Sequence, residues 1–201
     1  MKIINTVRTA SAIGILSFFT SACIPEDPGA TSDKGDLVNP VATAPEGRAM
    51  IARSIESAAC ELSELQIEML ELVNEARSEG RYCGDDFFEP AGAVTWNCKL
   101  ADAAMVHNED MVKNNFFAHE GSNGLKAGSR IDGVGYKWRS YGENLAAGFI
   151  EPKDAMQALL DSPGHCVNIM GRQFAEFGAA SMFYTDAEYH HYWTQIYGTE
   201  L

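Results

Sequence analysis

The hydrophobic period of this chain changes once along its length, and that change limits the folds open to it. Leu62, Leu65, Met69, Leu72, Val73 and Ala76 recur at three- and four-residue steps, the spacing of one helical face. Ser63-x-x-Gln66 has the pattern of a capping box, so a helix is expected over 63–79, ended by Gly80. Leu100, Ala103, Ala104, His107 and Met111 share a second such face and predict a helix from about Lys99 to Asn114. A third is expected to open at Pro152, whose fixed φ suits a first turn. It should run through Ala155, Leu159 and Leu160 until Pro163-Gly164 stops it. Beyond that point Glu176 to Tyr184 and His190 to Tyr197 are rich in aromatic and β-compatible residues around Thr185-Asp186-Ala187-Glu188, the signature of a β-hairpin. The pattern by itself specifies an α+β class.

The N-terminus reads differently. Lys2 and Arg8 precede an apolar stretch from Ala10 to Phe19, followed by Ser21-Ala22 and Cys23, which fits a secretory signal over 1–22. The stretch is short of the ~20 apolar residues a membrane span needs. Small residues just before Cys23 resemble a bacterial lipobox, although Thr20 stands where such boxes usually carry Leu. On this reading Cys23 becomes a lipid anchor, and Ile24 after it points to the outer membrane where the cell has one; ordinary secretion is the alternative. Residues 23–58 contain Pro25, Pro28, Pro40 and Pro45 with no apolar period, the composition of a flexible tether. Losing the signal removes Lys2 and Arg8 and takes the formal charge from −13 to −15. Nucleic acid is therefore an unsuitable partner, since phosphate contacts need basic residues. The remaining domain, 59–201, is long enough to fold as a monomer, burying ~68% of its unfolded surface.

Within that domain two histidines and a glutamate lie in short segments of their own, Phe116-Phe117-Ala118-His119, Gly142-Glu143-Asn144-Leu145 and Ser162-Pro163-Gly164-His165. They are too far apart for one helix face, so only a tertiary fold can bring them together. With Asn74-x-x-Arg77 before them, and Phe177-Gly178-Ala179 and Tyr192-Trp193-Thr194-Gln195-Ile196-Tyr197-Gly198 after, the ordered set resembles the CAP superfamily of cysteine-rich secretory, antigen 5 and pathogenesis-related proteins. Its bacterial SCP-domain branch is the nearest in pattern. The resemblance covers roughly 62–198. It implies a three-layer α-β-α sandwich, a small antiparallel sheet flanked by helices, with Asn74 and Arg77 structural.

Of the five cysteines, Cys23 is the odd one, leaving an even set suited to an oxidising compartment. Sequence alone allows three pairings of Cys60, Cys83, Cys98 and Cys166. The resemblance favours Cys83 with Cys166, leaving Cys60 with Cys98. The former closes a loop worth ~4.5 kcal/mol in the chain-entropy model.

The resemblance also implies that His119, Glu143 and His165 line a cleft, and that the family's second acid is missing near Asp161-Ser162. A carboxylate against an imidazole fixes its tautomer, while two neutral imidazoles and a carboxylate could hold Zn²⁺ with an open position. His119, His165 and Glu143 are thus candidate metal ligands, without the local His-x-x-x-His spacing that marks a zinc helix. Ser162 is a candidate nucleophile with His165 as base and Glu143 as orienter, set against a plain turn role before Pro163. His107 lies on an apolar stripe and is expected to be a hydrogen-bonded core histidine. His190 and His191 adjoin the last strand and match no functional position. Tyr192, Trp193 and Tyr197 are expected to pack on the sheet, and Tyr136, Trp138 and Tyr141 to occupy a loop before Glu143 that could stack on a ligand. The leading expectation is a binding module for an envelope or extracellular lipid, sterol-like, glycan or protein ligand. A metal-assisted or serine hydrolase comes second, and a structural domain with a vestigial cleft third.

Overall fold

The structure, a computed structural model, describes residues 60–201. The expected signal, the anchor Cys23 and the tether lie outside the described residues. Helix α1 spans Glu64–Ser78 behind a complete capping box, Ser63 Oγ accepting from Gln66 N at 3.3 Å and Gln66 Oε1 accepting from Ser63 N at 2.9 Å. A short hairpin follows, β1 (Arg81–Cys83) and β2 (Asp86–Phe88), turned by Gly84 at φ +67°. Then come β3 (Thr95–Trp96) and α2 (Cys98–Asn114), whose cap Asn97 accepts from the amides of Lys99 and Leu100. The rest comprises α3 (Ala127–Gly133), β4 (Trp138–Ala147), α4 (Pro152–Asp161), α5 (Pro163–Ile169), β5 (Glu176–Phe183) and β6 (His191–Glu200).

Three expectations change. Pro163 ends α4 but opens α5, because its missing N–H is harmless in a first turn. Trp138 and Tyr141 belong to no loop. They lie on β4, which pairs antiparallel with β6 from Trp138 opposite Glu200 to Ala147 opposite Tyr192. The expected hairpin is present as β5 and β6, registered from Glu176 opposite Gly198 to Phe183 opposite His191. The four-stranded order is β3-β5-β6-β4, and β3 runs parallel to β5, so the sheet is mixed rather than purely antiparallel.

Side-chain alternation sorts the sheet into two buried faces. Phe177, Ala179, Trp193, Tyr197 and Ala146 pack against Met69, Leu70 and Val73 of α1, Ala155, Met156 and Leu159 of α4, and Ile169 of α5. Ala180 and Ile196 point the other way, against Leu100, Ala103 and Ala104 of α2 and Ile131 of α3. The result is a three-layer α-β-α arrangement. Gly178 sits where α2 crosses β5, so a Cβ there would collide with the backbone of Leu100 and Ala101.

Arg77, fully buried, ties α1 to α5 and the neighbouring loops, with no acid partner among the described residues. Its guanidinium donates to the carbonyls of Gly92, Ile169, Gly171 and Phe174 at 2.7–3.1 Å. Asn74 exchanges two hydrogen bonds with the backbone of Val94. Both side chains thus have structural work, as the resemblance implies. Disulfides join Cys60 to Cys98 and Cys83 to Cys166, the second pinning the β1–β2 hairpin to α5.

Candidate functional site

The segment carrying His119 is held from three directions. Asn115, in the left-handed region at φ 50°, stops α2 and returns its N–H to Met111 and Val112. Phe117 then packs its ring with Tyr189 and Tyr192, while His107 Nε2 donates to the Ala118 carbonyl at 2.9 Å. Past His119, Asp110 of α2 accepts from Ser122 N at 2.8 Å and from its hydroxyl at 2.5 Å, stapling the next loop down. His107 is fully buried, as expected for a core histidine, and burial lowers its pKa, so it serves as a neutral donor.

Glu143 comes from β4 on the α2–α3 side of the sheet. Gly142 before it allows close approach, since a Cβ there would press on Asn168 Oδ1 and the Phe174 ring. The Glu143 side chain is only 4% exposed, and both its oxygens are engaged: Oε1 meets His119 Nδ1 at 2.8 Å and Oε2 meets Arg130 Nη2 at 2.6 Å. Burial alone would push this carboxyl up. The His119 hydrogen bond and the Arg130 charge outweigh it and hold the pKa below the ordinary value. An ionised carboxylate can only accept, so His119 donates from Nδ1, and in the neutral imidazole Nε2 keeps a lone pair. With the side chain 58% exposed, that nitrogen is accessible to a ligand.

Arg130 bears no recognisable sequence motif, and it is the residue the sequence left out. It also donates to the carbonyls of His119 and Leu125, both at 3.1 Å, so one α3 side chain fixes the carboxylate and the loop over it. The nearest charged neighbour of Glu143 is this cation. Only the need of a buried carboxylate for a counter-charge pointed towards it.

His165 stands on α5, in the layer beyond the other face of the sheet. Its carbonyl accepts from Asn144 Nδ2 at 3.1 Å, and Asn168 donates to Asn144 Oδ1 at 2.9 Å and to the Glu143 carbonyl at 3.2 Å. Its ring is close enough to His119 for the two charges to oppose each other, and burial followed by that repulsion lowers its pKa. No hydrogen bond joins it to His119 or Glu143, and its Nδ1 is buried without a partner. The expected zinc set of His119, His165 and Glu143 therefore does not fit. Glu143 has both oxygens occupied, one by a cation, and among the described residues no three His, Cys, Asp or Glu side chains are grouped to hold a metal ion.

The nucleophile arrangement is not assembled either. Glu143 orients His119 rather than His165, and Ser162 forms the joint between α4 and α5, its carbonyl accepting from His165 N and Cys166 N. His190, at φ 58°, lies in the turn before β6, while His191 is buried and stacks on Trp193 at 5.1 Å. Tyr192, Trp193 and Tyr197 are core residues and Tyr136 is fully buried. Tyr141 alone of the expected ring cluster reaches the groove, about 460 Å³ in volume, that His119, Glu120, Lys126, Ala127, Gly142 and Glu143 line with it.

Residues 70–197 match the family model described as the cysteine-rich secretory protein family, CAP. Two Bacillus subtilis (strain 168) proteins are similar in sequence. An uncharacterized membrane protein, YlbC, is 26% identical over 85 residues, covering 42% of this chain and 25% of that one. An uncharacterized protein, YkwD, is 28% identical over 79 residues, covering 39% and 31%. The chain thus aligns with less than a third of either relative. Among solved structures, an extracellular SCP-domain protein from Bacillus anthracis str. Ames superposes with TM-score 0.56 at 26% identity, covering 67% of this chain and 40% of that one. An outer surface protein of Borrelia burgdorferi shares the fold, with TM-score 0.51 at 20% identity over 55% of this chain and 80% of its own.

Proposed function

The chain belongs to the cysteine-rich secretory protein (CAP) family, and from that premise we propose that it is an extracytoplasmic, lipid-anchored binding module whose groove takes an envelope or extracellular ligand. The observation that carries this reading is the groove itself. Its floor is a carboxylate locked by His119 and Arg130, and its walls offer Lys126, Glu120 and the Tyr141 ring. Such a lining provides donors, acceptors and one stacking surface, which suits a polar ligand with an apolar face, such as a glycan or a peptide segment. Location outside the cytoplasm is supported by the signal-like N-terminus, by the two disulfides, and by similarity to a Bacillus anthracis protein described as extracellular. Among the described residues no helix is long and apolar enough to cross a membrane.

The test is mass spectrometry of small molecules and peptides that co-purify with the full chain from its native envelope. A bound species retained by the wild type and lost from Tyr141→Ala and Lys126→Ala is expected. A species held equally by those variants would overturn the assignment to this groove. One observation favours a second reading, a hydrolase: His119, oriented by Glu143, presents a free Nε2 as a general base. Turnover of a peptide or glycan substrate that disappears in Glu143→Gln would select it, whereas a binder keeps its affinity in that variant.

A further inference from the structure

The β1–β2 hairpin takes no part in the groove, yet it has the features of a contact surface. Tyr82 and Phe87 are direct cross-strand partners with ring centroids 5.1 Å apart, and they stand 70% and 52% exposed. The opposite face of the hairpin is pinned: Cys83 is 4% exposed and bonded to Cys166, with Arg81 and Phe88 half-buried beside it. A disulfide and a two-residue turn at Gly84 therefore hold two large rings out in solvent, where they bury little in the monomer. Among the described residues strand β2 pairs with β1 alone, which leaves the backbone donors and acceptors of its outer edge for a further strand.

Charge defines what this surface fits. Asp85 in the turn and Glu89 just after β2 flank the rings, Asp86 stands opposite Cys83 on the other face, and Glu79 lies at the foot of the hairpin beside Arg81 and Lys153, all four acids exposed. Among the described residues every ion pair ends on Glu143 instead, and none of these four carboxylates is salt-bridged there. A second copy of this chain, with net charge −13, would bring like charge to the surface, as would an anionic membrane. A cationic polypeptide matches each feature at once. Its ammonium or guanidinium groups would pair with the acids and sit over the ring faces, and its backbone would add a strand to β2. We propose that the β1–β2 hairpin docks an extended, lysine- or arginine-rich segment of a partner protein.

The probe is a fluorescently labelled octapeptide of alternating lysine and valine, titrated with the full chain, with a glutamate–valine peptide as control. Saturable binding that weakens with salt is expected for the lysine peptide only. Replacing both rings, Tyr82→Ala with Phe87→Ala, should weaken it at least ~10-fold, and Asp85→Asn with Asp86→Asn should weaken it and flatten its salt dependence. If the double ring variant fails to fold, Tyr82→Lys, which keeps a long side chain on the strand and sets a positive charge against the peptide, should give the same loss. The proposal is overturned by absence of saturable lysine-peptide binding, by equal binding to the ring variants, or by equal binding of the glutamate peptide. Attachment to phosphatidylcholine vesicles through the two rings, with no response to the peptide, would also overturn it.

Discussion

Replacing Arg130 by Met should destabilise the domain by about 3–4 kcal/mol, mainly because it strands a charge. The Arg130 and Glu143 side chains are 7% and 4% exposed, and removing one member of a buried pair typically costs ~3–5 kcal/mol. The individual bonds give a similar sum. The 2.6 Å contact to Glu143 is charge-assisted and worth ~1.5–3 kcal/mol, and those to the His119 and Leu125 carbonyls add ~1 kcal/mol each. His119 still donates to Oε1 and is open to solvent, which places the expected loss at the lower end of that range. The assay is urea unfolding at pH 7, with the m-value checked for constancy. Adding Glu143→Leu to Arg130→Met removes the stranded carboxylate, and the double variant should recover ~2 kcal/mol relative to the sum of the single losses. A cost below ~1 kcal/mol for Arg130→Met, or strict additivity in the cycle, would refute the idea that the two side chains form one buried unit.

Three further outcomes follow from the same geometry. Arg77→Ala should cost about 3–5 kcal/mol, since it removes the Arg77 bond from four carbonyls, of which Gly171 keeps a second donor in Phe174 N; a thermal melt within a few degrees of wild type would contradict this. Gly178→Ala should be comparably damaging because β5 and α2 must part, which refolding yield and melting temperature would show, and a wild-type melt would refute. Stability should also fall between pH 7 and 5. Unfolded His107 takes up a proton near its ordinary pKa of about 6.5, whereas burial lowers the folded value, with Glu143 and Arg130 nearby pulling in opposite directions. The unfolded state therefore binds more protons, so the His107 contribution is whole above about pH 6.5 and is lost as pH falls through the folded pKa. Burial lowers His165 and His191 in the same sense. Calorimetric melts of His107→Gln, which keeps a donor for Ala118, should show a shallower pH dependence; an unchanged slope would rule out His107 as a contributor.

The long amphipathic helices could be read from the chain because each has an apolar stripe and a side-chain cap: Ser63 for α1 and Asn97 for α2. Strand β4 could not, since Glu143 and Asn144 are both buried and the alternation that marks a half-solvated strand is absent. Helix α3 is seven residues long with no side-chain cap, too short to display a period. That same helix delivers Arg130, so the missed element and the missed site residue have one cause. His119 and Glu143 were legible through their motifs. His165 was legible in the same way, while the absence of a hydrogen bond from it to Glu143 was not, because a motif does not tell which side chains its helix will meet. Cysteine pairing was open on residues alone and was narrowed only by family resemblance.

Ring-nitrogen NMR of His119 at neutral pH tests the central claim most directly. A carboxylate held at 2.8 Å from Nδ1 requires the proton on that nitrogen, so the neutral ring is the tautomer with Nε2 bare. The spectrum should therefore show the Nδ1–H tautomer in the wild type and a return to mainly Nε2–H in Glu143→Ala. A wild-type imidazole protonated on Nε2, or one that Glu143→Ala leaves unchanged, would contradict a His119–Glu143–Arg130 unit.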